Sequence, residues 1–180
     1  MALLHDATLS PTKPEIVTAH LDSVPWGGSG PVEMLGAYRF DDPDGEVGVE
    51  AHIVARGGHV LHIPLTYRGA PIPGADEHLV ATMKHSVLGE RWVYDAAADP
   101  VAVGCFVRAL RGEQAQADLE VAQADGSTVP RENTVRLHLD GAAGESEILT
   151  FSTDLAAPAT GHALLVAQWD GGDGVVAALG

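Results

Sequence analysis

Residues 46–68 read EVGVEAHIVARGGHVLHIPLTYR, and this stretch decides the fold. Val47, Val49, Ala51 and Ile53 alternate with Glu46, Glu50 and His52 in its first half. Leu61, Ile63, Leu65 and Tyr67 alternate with His62, Pro64 and Thr66 in its second. A period of two is the side-chain period of a strand, and Arg56-Gly57-Gly58 between the runs is a turn. Pro64 has no N–H for a ladder, so the second strand is expected at a sheet edge or bulged there. Upstream, Val32, Met34, Tyr38 and Phe40 share one parity against Glu33 and Arg39, and Asp41-Asp42-Pro43-Asp44-Gly45 turns the chain. Three period-two runs joined by short turns predict an antiparallel meander.

Working outward, residues 69–74 form a Pro/Gly loop, residues 75–85 fit neither period, and residues 91–95 make another strand. Thr12-Lys13-Pro14-Glu15 has capping-box spacing with Pro in the first turn, and Val17, Leu21 and Val24 follow at helical spacing. A second helix starts at Asp99 as N-cap with Pro100 behind it. Val103, Phe106, Val107 and Leu110 form its apolar stripe, and Gly112 ends it. Beyond Gly112 the period returns to two, in runs over residues 117–121, 135–139, 148–151, 163–169 and 175–179, and residues 123–133 read as a longer mobile loop. The expected fold class is α+β, a curved antiparallel sheet with two packed helices. Residues 1–180 are expected to make one domain, with the strands of 113–180 completing the sheet.

Ten basic against twenty-five acidic residues give a net charge of −15, and Lys13 and Lys84 are the only lysines. Such a field repels nucleic acid and anionic membranes, which are bound by clustered basic residues. A single cysteine, Cys105, rules out an internal disulfide and a multi-cysteine zinc site. No apolar run approaches the roughly 18 residues of a membrane span, and the first ten residues lack the pattern of a secretory leader. A cytoplasmic protein is expected.

Catalytic motifs are missing. A phosphate-binding loop places Gly before its Lys, whereas Met83 precedes Lys84 and Thr12 precedes Lys13. A kinase catalytic loop needs His-x-Asp with Asn five residues beyond. After His138-Leu139-Asp140 that place holds Glu145, and after His20-Leu21-Asp22 it holds Gly27. His59 and His62 fall on opposite strand faces, while Glu50 and His52 share one, with His62 across the sheet. These read as solvated sheet-face residues ahead of a metal site. His78 and His85, flanking an apolar segment, read as helix-end or loop hydrogen-bonders, and Cys105 as a buried, inert thiol. Trp26, Trp92, Tyr38, Tyr67 and Tyr94 are spread over four segments and read as packing ahead of a sugar-stacking site. No catalytic, cofactor-binding or metal-binding residue is expected.

The hairpin series also resembles a known family. Asp41-Asp42-Pro43-Asp44-Gly45-Glu46-Val47-Gly48-Val49-Glu50 is similar to the first hairpin of the N-terminal cap of actinobacterial maltokinases. Pro64-Leu65-Thr66-Tyr67-Arg68-Gly69-Ala70-Pro71 resembles its next signature. His85-Ser86-Val87-Leu88-Gly89-Glu90-Arg91-Trp92-Val93-Tyr94-Asp95, with Asp99-Pro100-Val101, is the most specific part. The resemblance covers residues 1–112. It implies a cystatin-like cap, standing here without the kinase that normally follows, and a metabolic setting in trehalose and α-glucan chemistry. The family's ATP, metal and sugar residues lie in downstream lobes and carry over to no position of this chain. Glu50, Arg68, Arg91, Trp92, Tyr94 and Asp95 are the candidate interaction residues. Gly69 is expected to supply turn geometry, and Arg68 to pair with a carboxylate. Trp92 and Tyr94 are expected to face the core, with Arg91 and Asp95 in a polar network opposite. Arg91 is expected to be held by a carboxylate, Asp95, Glu46 or Glu50. The function expected is that of a non-catalytic interaction or regulatory module with a sugar kinase or glucan-pathway enzyme as partner, and homo-oligomers conceivable. The alternative is a module binding a sugar or metabolite on the concave sheet face, with a hydrolase built on an Asp/Glu–His cluster as a third option.

Overall fold

The structure, a computed structural model, describes residues 2–4, 7–122, 127–144 and 148–180. Its strands are β1 (Ala2–Leu4), β2 (Leu9–Ser10), β3 (Glu33–Phe40), β4 (Gly48–Arg56), β5 (His59–Arg68), β6 (Leu79–His85) and β7 (Gly89–Asp95). After them come β8 (Leu119–Ala122), β9 (Thr128–Arg131), β10 (Val135–Gly141), β11 (Leu149–Phe151), β12 (Ala163–Trp169) and β13 (Gly172–Leu179). Helix α1 spans Lys13–Ser23 and α2 spans Pro100–Leu110. The meander is there: β3, β4 and β5 are antiparallel neighbours in a six-stranded sheet of order β2-β6-β7-β5-β4-β3. The sheet is strongly curled, and the α+β class holds.

Gly57 and Gly58 form a two-residue turn between Arg56 and His59, both at positive φ, 60° and 86°. That turn matches strand twist and needs residues without a Cβ penalty. Pro64 does not mark an edge strand. β5 is interior, paired with β4 along its length and with β7 over Leu65–Arg68. The edge of β5 that faces β7 is completed further back by residues 153–155, since His62 N–H donates to Thr153 O and Leu155 N–H to Val60 O. Pro64 falls in the gap between these two partners, the place where a missing donor costs nothing.

The shared parity expected of Val32, Met34, Tyr38 and Phe40 fails at a bulge. Met34 pairs with Val54, but Gly36 pairs with Ile53, so Leu35 is an extra residue. One extra residue reverses the faces. Val32 and Met34 therefore pack with Ile16, Val17 and Leu21 of α1. Tyr38 and Phe40 pack on the opposite face, against Phe106 of α2.

Helix α1 has its capping box in full: Thr12 N–H donates to Glu15 Oε2 at 2.7 Å, and Glu15 N–H to Thr12 Oγ1 at 3.4 Å. Ile16, Val17 and Leu21 are its buried residues, and Val24 is its half-buried C-cap. In α2, Asp99 accepts from Val101 N–H as expected of an N-cap. Its deepest face is rotated from the expected stripe: Ala102, Cys105, Phe106, Ala109 and Leu110 are buried, while Val103 and Val107 are only half-buried. Alanines and a thiol let the helix axis approach the sheet closely, and the bulkier valines flank that contact.

The later strands do not complete the first sheet. β10, β12, β13 and β11 form a separate antiparallel sheet, in that order, and β1, β8 and β9 form a third with β1 and β8 parallel. The second sheet covers the face opposite α1, so that Leu165, Ala167, Val176 and Leu179 share one core with Tyr38, Val49, Ile53 and Phe106. Phe106 lies at the middle of it, with ring centroids 5.1 Å from Phe40 and 4.7 Å from Phe151. Of the expected mobile loop, residues 123–126 lie outside the described residues, and Thr128–Arg131 is strand β9.

Candidate functional site

Strand register assembles a polar face beside α1. Arg39 pairs with Glu50, Glu50 with Leu65, Tyr67 with Val93, and Arg91 with Met83. Directly opposed residues share a face, so these side chains, with His52 two positions along from Glu50, project to the side that carries α1. The helix covers part of that side with Ile16, Val17 and Leu21 against Leu61, Ile63, Leu65, Met83 and Val93. The part left open beside Lys13 is a groove of about 720 Å³.

Glu50 is the centre of that floor and is buried, so the reading of Glu50 and His52 as solvated residues is overturned. Lys13 Nζ lies 2.5 Å from Glu50 Oε2, Arg39 Nε 3.7 Å from the same oxygen, and His52 Nε2 3.9 Å from Oε1. Burial alone would push the Glu50 carboxyl up, but Lys13, His52 and Arg39 outweigh it and hold the pKa at about 2. Burial pushes His52 below its ordinary value against the pull of Glu50. Tyr67 borders the floor, with its hydroxyl 3.2 Å from His52 Nε2.

His62 is also buried, but it points away from this floor, because it pairs with Ile53 on the α2 side. Its Nδ1 lies 3.1 Å from Ser152 O and its Nε2 2.8 Å from Tyr38 Oη. A carbonyl can only accept, so Nδ1 carries the proton and Nε2 accepts from the tyrosine hydroxyl. Burial holds this imidazole neutral, with its pKa pushed down to about 4. His59, three residues back, meets Asp154 at the surface. Among the described residues no group of three or more His, Cys, Asp or Glu is placed to hold a metal ion.

The remaining candidates separate. Arg68 makes a fork with Asp99, Nε to Oδ2 at 2.7 Å and Nη2 to Oδ1 at 3.0 Å. Asp99 is fully buried, and its Oδ1 also accepts from Val101 N–H at the start of α2. Burial would raise this carboxyl; the hydrogen bonds from Arg68 and Val101 carry it below its ordinary value. Among the described residues Arg91 has no such partner. Its Nη2 donates to Leu88 O at 2.9 Å, and its Nη1 lies where a Cβ on Gly69 would approach to 2.9 Å. Gly69 therefore serves close approach, since its φ is not in the positive region. Of the carboxylates expected for Arg91, Glu50 is engaged with Lys13, Asp95 caps Ala97 N–H, and Glu46 is exposed at the rim of the groove. Arg91 and Asp95 flank buried Val93, so no polar network forms between them. Tyr94 is buried as expected, its hydroxyl accepting from Ile72 N–H, and Trp92 is half-buried. Cys105 is buried, and burial raises its thiol pKa.

Sequence reading missed Lys13 and Arg39. Arg39 could have been found from the register of the first hairpin, which places it opposite Glu50. Lys13 comes from a helix remote in sequence, and no local pattern marks its approach.

A curled antiparallel sheet with a helix on one face, a second helix clamped to it through Arg68 and Asp99, and a half-open polar floor define an α+β module. Residues 21–99 match the family described as the maltokinase N-terminal cap domain. The match contains Arg39, Glu50, Arg68, Arg91 and Asp99, but not Lys13. Comparison with curated proteins and with solved structures returns no match.

Proposed function

We propose that the chain is a non-catalytic interaction or regulatory module, acting on a sugar kinase or another enzyme of trehalose and α-glucan metabolism. The observation that carries this reading is the family match over residues 21–99, to a domain named as a cap of maltokinase. Two further features support it. The family-like motif at Arg68 and Asp99 is spent on holding α2 to the sheet, and no kinase loop or phosphate-binding loop stands in the sequence. No helix among the described residues is long and apolar enough to cross a membrane, in keeping with a cytoplasmic setting.

The test has two arms. Purified chain with ATP and magnesium is expected to leave maltose, glucose and glucosamine unphosphorylated. Turnover that survives purification and disappears on mutating this chain would defeat the non-catalytic reading. Added to a purified sugar kinase recovered with it by affinity capture, the chain is expected to bind saturably and to change kcat or KM. A kinase indifferent to it in both respects would defeat the regulatory reading.

A second reading is favoured by the groove beside α1, whose volume suits a small molecule. The chain then binds a sugar or metabolite on this side of the sheet.

A further inference from the structure

We infer that the groove beside α1 receives a small ligand through an oxyanion head group, a phosphate ester or a carboxylate, bound by Arg39 and Arg91 with Lys13 beside them. This rests on the small-ligand reading above. On a chain of net charge −15, the groove gathers three of the ten basic residues. The single carboxylate on its floor, Glu50, is committed to Lys13. Arg39 Nε, 3.7 Å from Glu50, is beyond hydrogen-bonding distance. Arg39 Nε and Arg91 Nε are both buried, with no acceptor among the described residues. The floor is therefore in surplus of positive charge and of N–H donors; an oxyanion answers both, whereas a neutral ligand can accept from the donors but leaves the charge unbalanced.

The arginines are also positioned in advance. Arg91 is pinned by Leu88 O and lies over Gly69. A Cβ at Gly48 would come within 3.3 Å of Arg39 Nη2. Leu9, Tyr67, Met83 and Leu88 supply apolar wall for the body of the ligand. The mouth is acidic, with Asp41, Asp42 and Glu46 on one hairpin and His85 opposite. Asp42 is occupied by the N–H groups of Asp44, Glu46 and Val47. An acidic rim over a cationic floor excludes polyanions and admits a molecule with one charged end.

Calorimetric titration of the full chain with glucose, glucuronate and glucose 6-phosphate tests this, because the three share a ring and differ in head group. At least one anion is expected to bind about tenfold or more tighter than glucose. R39Q and R91Q, each checked by thermal melting, should weaken it by about tenfold, and R136Q, remote from the groove, should not. E50Q removes the resident anion and should tighten binding several-fold. The stronger of the two anions identifies the head group as phosphate or carboxylate. Glucose binding as well as the anions, or anion binding indifferent to R39Q and R91Q, would overturn the inference and leave the small-ligand reading standing. Binding of none of the three at millimolar concentration would sink both and leave the partner reading untouched.

Discussion

Arg68 and Arg91 show at the scale of single residues what spacing can and cannot tell. Both were legible as arginines on strands beside a family-like motif, and a carboxylate was expected for each. Only Arg68 has one, because its strand ends beside the cap of α2, a contact set by the chain's return after thirty-one residues. Lysine cannot reproduce that fork, so Arg68→Lys is expected to cost about 1–3 kcal/mol in urea melts. An unchanged midpoint would show that the fork adds nothing beyond charge. The buried histidine and glutamate give a second expectation. His62 titrates at an ordinary 6.5 when unfolded and about 4 when folded, so the unfolded chain binds its proton first as pH falls. Stability from neutral His62 is complete above pH 6.5 and is lost on the way to about 4, on the order of 3 kcal/mol. Glu50, lowered from 4.5 to about 2, contributes stability that is complete above 4.5 and is lost below it. Denaturant melts from pH 7.5 to 3.5 should show loss beginning at the first window. His62→Gln should flatten that window while costing about 1–3 kcal/mol at pH 7, since Tyr38 or Ser152 loses its partner. A His62→Gln chain with the wild-type pH slope would remove His62 as its source.

At the scale of elements, strand and helix existence was legible and face was not. Period two located β3, β4, β5, β7 and most later strands, because half-buried strands must alternate. It could not show that both faces of β4 are covered, with Val49 and Ile53 in one core and Val54 in the other. Glu50 and His52 therefore read as solvent-facing. The bulge at Leu35 is invisible to periodicity, because a one-residue insertion is registered only by the partner strand. β2, two residues long, and β9, with Pro130 inside it, offer too little pattern to find. The capping box of α1, by contrast, is purely local and was complete in Thr12 and Glu15. Thr12→Ala is expected to cost about 0.5–2 kcal/mol. Because α1 also delivers Lys13 to Glu50, the same variant should weaken that pair; a loss confined to stability, with the acid limb below pH 4.5 unmoved, would show that Lys13 is held independently of the cap.

The whole molecule depends on a surface that the meander cannot supply for itself. Its six-stranded sheet is apolar on both sides, and α1 covers only one of them. On the other, α2 brings Phe106 and Leu110, both fully buried, but this one short helix cannot roof the cluster that runs from Phe40 to Ile53. Leu165, Ala167, Val176 and Leu179 of the second sheet close it, and residues 153–155 complete the free edge of β5 at Val60 and His62. The family match ends at residue 99, so this closure comes from sequence that the match does not include. A chain ended after Gly112 would keep every strand of the first sheet and both helices, yet expose the inner face of the aromatic cluster. Apolar area left in water forfeits about 25 cal/mol per Å², and a domain's whole stability is only about 5–15 kcal/mol. Such a chain is expected to lose its cooperative transition, to bind a hydrophobic dye and to associate through the bared face. Adding residues 113–180 as a separate polypeptide should restore part of the transition if the two sheets dock as the shared core requires. A shortened chain that melts cooperatively as a monomer would show that the first sheet is autonomous and that the second is an addition to a finished fold.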